Sequence, residues 1–494
     1  MTSGRLRFAA LAIAAVGAGV SAATAAEGPD RSRPPVMGPP PSPAIPPVHE
    51  RTLSNGLPVW VVEMHEVPVV QIALVVQVGS AEDPSGHFGL ASLTASMLDE
   101  GAGTRSALEI ADAIDFLGAQ LSTGSSYDAS VVRLGVPVAR LAAALPIFAD
   151  VALRPTFPED EVTRLKQERL TALLQARDDP AAVASEGFLR ILFGREHRYG
   201  TGEIGTAGAL ERFVAQNLKA FYAAYYRPDN ATLVVVGDVE PDAVTAALDA
   251  AFGQWRPEGV AKRAALATVR QAATRRVYII DKPGAAQSQI RIGSVGVPRS
   301  TPDYFALAVL NTVLGGSFTS RLNQNLRETH GYAYGAGSGF ALRRFAGPFT
   351  ASAGVQTDRT AEALREFFNE LNGILEPVPP AELDKARNLL ALGMPGGFET
   401  TGDLLARLQE LIVYDLPRDY FSHYVPSLRA VTAADVQRAA REHIHPGRVA
   451  VVVVGDRRAI ERGIRALDLG PVTVLGVDDI LGPPPRLAFH GTEP

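Results

Sequence analysis

The sequence TLVVVGDVEPDAV at residues 232–244 has a counterpart late in the chain, VAVVVVGDRRAI at residues 449–460. In both stretches a β-branched run, which favours a buried strand, leads into Gly-Asp and then into a helix-forming segment. The two Gly-Asp pairs begin at Gly237 and Gly455, 218 residues apart. A strand-turn-helix unit is therefore present twice, and its offset gives a register for comparing the rest of the chain.

Two further matches fall in the same register. Gln71 opens a Gln-Ile pair in a strand-like run, and Gln289 opens the same pair 218 residues later. Pro84 and Pro302 show the same offset. Separated matches at a single offset indicate a duplicated structural unit.

These matches predict an α+β fold of two homologous halves, residues 48–260 and 270–480. Each half begins with strands, continues through helices and ends in the strand-Gly-Asp-helix unit. We expect a mainly antiparallel sheet in each half, with helices packed on one side of it.

Composition narrows the class of protein. The chain has 494 residues, of which 46% are hydrophobic and 20% charged, as in ordinary globular proteins with more than one core. The net charge is -6 and no Lys/Arg-rich stretch occurs, so we expect no nucleic-acid partner. The chain has no cysteine, which excludes disulfides and a thiol nucleophile.

The N-terminal sequence predicts export. Residues 1–26 combine Arg5 and Arg7 with an apolar run and a small-residue cleavage sequence, as in a signal peptide. Residues 27–47 are rich in proline and predict an extended linker. No later apolar run is long enough for a spanning helix. We expect an exported protein, in a bacterial periplasm, with no stable membrane span after signal cleavage.

Several longer motifs together resemble one family. They are GLASLTASMLDEGAGT (89–104), HRYGTGEIGT (197–206), YRPDNATLVVVGDV (226–239) and LGGSFTSRLNQNLRETHGYAY (314–334). In combination they resemble the insulinase/pitrilysin (inverzincin) peptidases, in particular bacterial two-half chains related to mitochondrial processing peptidase. The resemblance covers most of the chain. It implies that each half is a metallopeptidase-like half of a clamshell that encloses a peptide.

The zinc motif of that family is degenerate in this sequence. Active members carry H-x-x-E-H on a helix, with two zinc-binding histidines and a glutamate as general base, and a later glutamate completes the ligands. At the histidine positions stand Ser92 and Ser96, and at the base position stands Ala95; the distal ligand position falls at or next to Ala172. Hydroxyls and methyls do not replace imidazole and carboxylate as zinc ligands. We therefore expect this chain to bind no metal, and zinc to be held by a partner subunit.

The second half keeps two residues that the resemblance assigns to substrate binding. Arg327 and Tyr334 in LRETHGYAY match the arginine and tyrosine that family members direct toward a peptide at the zinc. A guanidinium and a phenol can both donate hydrogen bonds to the oxyanion formed during peptide hydrolysis. Without the resemblance, Arg327 would be a surface cation near a helix end and Tyr334 an ordinary strand residue.

Three interpretations remain open. The first is a non-catalytic, substrate-binding subunit that forms a heterodimer with a homologous zinc-bearing peptidase chain and supplies Arg327 and Tyr334 to the partner's zinc site. The second is a peptide-binding or scaffold protein of the same fold with no proteolytic role. A lone enzyme using other residues is disfavoured, because cysteine and motifs such as G-x-S-x-G are absent.

His443 and His445 could form a metal-binding pair, but no cysteine or acidic cluster nearby completes it.

Overall fold

Two six-stranded sheets organise the chain. The computed structural model describes residues 32, 46–256 and 266–487. The expected signal peptide, 1–26, lies outside the described residues, and so does most of the expected linker, 27–47. Among the described residues, no helix has the length and hydrophobicity that crossing a membrane requires.

The first sheet is built from strands of the N-terminal half. The strands of this half are β1 (His49–Thr52), β2 (Pro58–Glu63), β3 (Val69–Val76), β4 (Gly101–Ala102), β5 (Arg105–Ser106), β6 (Gln120–Ser125), β7 (Ser130–Pro137) and β8 (Ala231–Gly237). The sheet has the order β1-β2-β8-β3-β7-β6, while β4 and β5 form a separate hairpin. Within the sheet, β2 and β8 are parallel and the other neighbours are antiparallel.

The second sheet is built from strands of the C-terminal half. They are β9 (Arg276–Asp281), β10 (Gln287–Val295), β11 (Ala333–Phe340), β12 (Pro348–Gln356), β13 (Ala450–Gly455) and β14 (Val472–Gly476). The order is β14-β9-β13-β10-β12-β11. Strand β9 is parallel to both of its neighbours, and the remaining pairs are antiparallel.

The two sheets share one strand order, which confirms the prediction of two homologous α+β halves. The series β2-β8-β3-β7-β6 corresponds to β9-β13-β10-β12-β11. Val236 pairs with Gln71 in the first sheet, and Val454 pairs with Gln289 in the second, so the following Gly-Asp turns occupy equivalent positions. Only the outer strands differ, since β1 is antiparallel to β2 whereas β14 is parallel to β9.

Helices fill the segments between the strands of each half. In the first half they are α1 (Leu90–Ser96), α2 (Ala107–Phe116), α3 (Leu141–Leu153), α4 (Glu159–Ala176), α5 (Pro180–Phe193), α6 (Ala207–Arg212), α7 (Ala215–Tyr225) and α8 (Pro241–Phe252). In the second half they are α9 (Tyr304–Leu314), α10 (Arg321–Asn323), α11 (Thr360–Gly373), α12 (Pro380–Gly393), α13 (Thr401–Val413), α14 (Tyr420–Ala430), α15 (Ala433–His443), α16 (Arg457–Ala466) and α17 (Val477–Leu481). Helix α10 continues as a π-helical turn, Gln324–Thr329.

The first sheet is covered on both faces, and one of its covers comes from the second half. Alternate residues of its strands pack into a core with helices of the first half. The residues between them, such as Val75 and Val236, pack against Leu404 and Leu408 of α13. A helix from the C-terminal half therefore closes the second face of the N-terminal sheet.

Helix α5 makes the reciprocal contact. Although it belongs to the first half, its residues Val183 and Phe188 pack with Ile280 and Val452 of the second sheet. A Cβ at Gly187 would lie 2.7 Å from Ile280 Cδ1, so glycine permits this close approach. The prediction of helices on only one side of each sheet was wrong. Helix α13 covers the second face of the first sheet, and α5 packs on the second sheet; we call this arrangement the helix exchange.

The exchange explains why Pro41–Pro494 is one compact unit rather than two separate domains. A helix of each half packs on the sheet of the other half, so neither sheet has both faces covered by its own half. The boundaries 48–260 and 270–480 describe the sequence repeat and stay predictions as domain limits.

A loop of the second half also reaches the first half. Arg344, between β11 and β12, donates from its backbone N–H to Asp128 Oδ2 at 3.1 Å and from Nη2 to Asp128 O at 2.9 Å. Its Nη1 lies 3.3 Å from Glu82 Oε1. The adjacent Arg343 guanidinium lies over the Tyr127 ring, 3.6 Å from its centroid. Hydrogen bonds of Arg344 and the ring contact of Arg343 thus join the two halves.

This junction predicts a pH-dependent stability. Burial raises the pKa of Glu82 to about 7, against the lowering effects of the Gly79 N–H and Arg344. Folded Glu82 therefore keeps a proton that the unfolded chain releases above the ordinary glutamate pKa of 4.5, so stability falls as pH rises from that value through about 7. We expect Glu82→Gln to reduce the loss of unfolding free energy between pH 5 and pH 8 by about 2 kcal/mol.

Urea unfolding at several pH values measures this effect. The exposed Glu376 provides a matched control, and Glu376→Gln should leave the pH profile unchanged. Parallel profiles for Glu82→Gln and the unaltered protein would contradict the assignment.

Candidate functional site

The helix that carries the degenerate zinc motif begins at a buried carboxylate. Asp83 accepts hydrogen bonds from the backbone N–H groups of Gly89 at 2.8 Å and Ala91 at 2.7 Å. It also pairs with Arg198 at 3.0 Å. Gly89 precedes the helix with a φ of 103°, a conformation that favours glycine. These contacts fix the start of α1.

The four motif positions lie in two helices. Ser92 and Ser96 are one turn apart on α1 and are half-buried, which places both hydroxyls on one helical face. Ala95 between them is fully buried. Ala172, the distal position, is exposed on α4. The structure therefore brings the two serines together, while the two alanines contribute only methyl groups.

An arginine of α4 links the two serines. The guanidinium of Arg169 donates from Nη1 to Ser92 Oγ at 3.0 Å and from Nη2 to Ser96 Oγ at 2.8 Å. Nη2 also donates to the Ser92 carbonyl at 3.0 Å. Arg169 precedes Ala172 by three residues, so it lies close to the distal position on the same side of α4. The sequence resemblance did not identify this residue.

The residues at this position do not fit a zinc ion. Zinc sites use imidazole, thiolate or carboxylate ligands, and here two hydroxyls accept hydrogen bonds from a cation. A metal ion bound between Ser92 and Ser96 would lie against the positive charge of Arg169 and would have no anionic ligand from the motif positions. The site is better described as an arginine held by two serines.

Arg169 also lacks a carboxylate partner. Burial lowers its pKa to about 10, while Glu168 and Asp83 act on it through space in the opposite direction. Glu168 lies 3.6 Å from Arg164, and Asp83 is paired with Arg198. Among the ion pairs of the described residues, none includes Arg169. The guanidinium is therefore charged near neutral pH and partly desolvated without a counterion.

The second candidate site surrounds Arg327 and Tyr334. Arg327 lies in the π-helical turn after α10, and Gly331 follows with a φ of 65°. The left-handed glycine turns the chain toward β11, which carries Tyr334. The Tyr334 side chain is 86% exposed. The resemblance-based residues are thus neighbours on the surface.

A second aromatic residue completes a stack around Arg327. The Arg327 guanidinium lies 5.0 Å from the centroid of the Tyr334 ring and 4.8 Å from that of Phe318. Its Nε is 3.1 Å from Glu328 Oε1. Phe318 is 62% exposed, unusual for phenylalanine, and sequence reasoning missed it. The pair of aromatic rings holds the cation in place at the surface.

Gly315, which precedes Phe318 in the chain, has a structural role. A Cβ at Gly315 would lie 2.2 Å from Ser338 N, and Ser338 donates to the Gly315 carbonyl at 3.1 Å. Gly315 therefore lets the loop after α9 approach β11. This contact positions the segment that carries Phe318.

The remaining histidine candidate belongs to an ion-pair network. His443 ends α15, and its Nε2 lies 2.7 Å from Asp303 Oδ2. Asp303 Oδ1 is 2.6 Å from Arg438, whose hydrogen bond is the main cause of the lowered pKa of Asp303. Glu442 is near enough to complete a group of three possible metal ligands. Arg438 also lies 3.1 Å from Glu442, so its guanidinium contacts both carboxylates of this group.

Among the described residues, no hydrogen bond, ion pair or ring contact joins the Arg169–serine group to the Arg327–Tyr334 stack.

Comparisons with known proteins match two successive regions of the chain. A family model described as Insulinase (Peptidase family M16) matches residues 59–195, and one described as Peptidase M16 inactive domain matches residues 212–390. An uncharacterized zinc protease of Mycobacterium tuberculosis is 28% identical over 424 residues, 84% of this chain and 95% of the relative. One from Bacillus subtilis is 24% identical, covering 72% of this chain and 86% of the relative.

Solved structures agree with these matches. The peptidase M16 inactive domain from Pseudomonas fluorescens has a TM-score of 0.76 and 28% identity, covering 83% of this chain and 98% of that one. A protease from Helicobacter pylori has a TM-score of 0.77 at 22% identity, with 83% and 100% covered, and supports the fold. The chain belongs to the insulinase family, peptidase family M16.

Proposed function

We propose that this chain is a non-catalytic, substrate-binding subunit of a zinc peptidase complex that processes or degrades peptides. A homologous chain with an intact H-x-x-E-H motif holds the zinc in this proposal. Arg327 and Tyr334 act at that zinc in trans. The chain itself binds no zinc, and its location is the bacterial periplasm, as the signal-like residues 1–26 suggest.

The observation that carries the proposal is the Arg169–serine group. The motif positions that would hold zinc in this family instead hold Ser92 and Ser96, both bound to a guanidinium. Such a group supplies no metal-bound hydroxide, so hydrolysis at this position has no nucleophile. A peptidase role then depends on a metal in another polypeptide.

The exposed stack favours a peptidase subunit over a scaffold. Arg327 is fixed between Phe318 and Tyr334, and the Tyr334 side chain remains largely exposed. Fixed donors at the surface suit an oxyanion or carbonyl that another molecule brings to them. A scaffold of the same fold does not require such donors, and this alternative is an outcome of the test below.

Reconstitution tests the proposal. The mature chain and a homologous chain with an intact H-x-x-E-H motif, encoded in the same genome, are purified without histidine tags, alone and as a mixture. We expect the mixture to cleave unfolded peptides, each chain alone to be nearly inert, and metal analysis to find zinc in the partner and less than about 0.1 zinc in this chain.

The outcomes separate the alternatives. A heterodimer that binds peptide without cleaving it would favour the scaffold. One tightly held zinc per molecule of this chain would contradict the metal-free assignment.

A further inference from the structure

We propose that the Arg169–serine group is a binding site for a carboxylate of a peptide. The site stands where the family motif places zinc, and it offers a fixed organic cation in place of the metal. The identity of the ligand as a peptide rests on the proposed function. The presence of an anion site rests on the geometry alone.

The hydrogen bonds of Arg169 leave donors unused. A guanidinium has five N–H groups, and three hydrogen bonds from Arg169 are directed to Ser92 and Ser96. Two N–H groups remain, and no further hydrogen-bond acceptor for them is found among the described residues. These donors are free for an incoming anion.

The charge of Arg169 is also uncompensated. The two carboxylates that act on it through space, those of Glu168 and Asp83, are paired with Arg164 and Arg198. Desolvating a cation without a partner costs free energy, and a bound anion recovers part of that cost through charge-assisted hydrogen bonds. The two serines hold the guanidinium in one orientation, which reduces the entropy lost on binding.

The site is partly exposed to solvent. Arg169 and both serines are half-buried rather than enclosed, and Ala172, one turn further along α4, is exposed with only a methyl side chain. The guanidinium and the two hydroxyl-bearing residues are therefore partly exposed to solvent, from which a carboxylate would approach.

The charge of Arg169 indicates the class of ligand. A neutral peptide carbonyl would leave the charge uncompensated, whereas a C-terminal carboxylate or an acidic side chain would neutralise it. Both sources present the same group. The experiment separates them with three peptides. Two share one sequence and end in a free carboxylate or an amide, and the third is the amide with one internal residue replaced by glutamate.

Binding of these peptides to the isolated full chain, measured by calorimetry, tests the site. We expect the free carboxylate to bind at least about 10-fold more tightly than the amide. Arg169→Met should abolish this difference, while Arg169→Lys, which keeps the charge, should retain a preference for the carboxylate. Lys166→Met removes an equal charge from the same helix, where Lys166 donates to the Phe213 carbonyl rather than to a carboxylate, and should leave the preference intact.

The result is independent of any partner subunit. If the internal-glutamate peptide binds more tightly than the amide while the free C-terminal peptide does not, the site is assigned to acidic side chains instead of C-termini. Equal binding of all three peptides to the unaltered chain, or none detectable, would overturn the inference, as would an unchanged preference in Arg169→Met. Failure of the reconstituted complex to cleave peptides would overturn the proposed function alone.

Discussion

Replacing Arg327 with alanine, or Tyr334 with phenylalanine, is expected to lower turnover by the reconstituted complex about 100-fold and to leave assembly intact. Both residues are donors, and the described residues give the exposed Tyr334 hydroxyl no hydrogen-bond partner. If the donors bind the oxyanion mainly in the transition state, kcat falls while KM changes little. Steady-state kinetics with a fluorogenic peptide measures this.

A neighbouring tyrosine provides a matched control. Tyr332 stacks on His330, with ring centroids 5.0 Å apart, and makes no ring contact with Arg327 in the described structure. We expect Tyr332→Phe to leave turnover unchanged. Size-exclusion chromatography establishes that each variant still assembles. Unchanged turnover in both Arg327→Ala and Tyr334→Phe would return the pair to a structural role and favour the scaffold.

Replacing Phe188 with alanine is expected to lower the free energy of unfolding by about 3–5 kcal/mol. Phe188 is 2% exposed and packs from α5 onto the second sheet. A Cβ at Gly293 of β10 would lie 2.9 Å from Phe188 Cζ, which shows how closely the ring fits. The substitution lies in the first half, but we expect the second sheet to be the part that loses stability.

Two measurements locate the effect. Urea unfolding gives the total loss, and hydrogen exchange reports which strands lose protection. In Phe188→Ala the amides of β13 should exchange faster, while Leu408→Ala on α13 should have its effect on β8. Phe116, which is 83% exposed, is the control, and Phe116→Ala should change stability by less than about 0.5 kcal/mol. Loss of protection confined to the first sheet in Phe188→Ala would contradict the exchange.

The sequence was sufficient to predict the duplicated framework. The strand-Gly-Asp-helix units were visible because β-branched runs and Gly-Asp turns are local features, and Gly237 and Gly455 occupy the equivalent positions that their offset predicts. The spacing of Ser92 and Ser96 likewise placed them on one face of a helix, where the structure has them. Local periodicity determines both features.

The helix exchange could not be predicted in the same way. The β-branched run of β13, AVVVVG, did indicate a buried strand. It carried no information about which helix covers the second face, because that depends on contacts between distant segments. Alpha-helical periodicity identifies an apolar face but not its partner.

Arg169 and Phe318 could not be identified as site residues from the sequence, for a different reason. Arg169 lies in α4 among several other charged residues, and nothing in its sequence position distinguishes it from a solvated arginine. Phe318 follows a glycine pair in a loop, where an exposed ring has no periodic pattern. Both residues gain their roles from side chains distant in sequence or across a turn.

The exchanged helices also constrain the order in which the protein can fold. Helix α5 is synthesised in the first half of the chain, but its apolar face packs on β13, which is among the last strands to be made. Until then, Phe188 and its neighbours have no sheet to cover them, and exposed apolar surface favours aggregation. We therefore expect the first half, expressed alone, to be poorly soluble, and the nascent chain to depend on chaperones until the second sheet is complete.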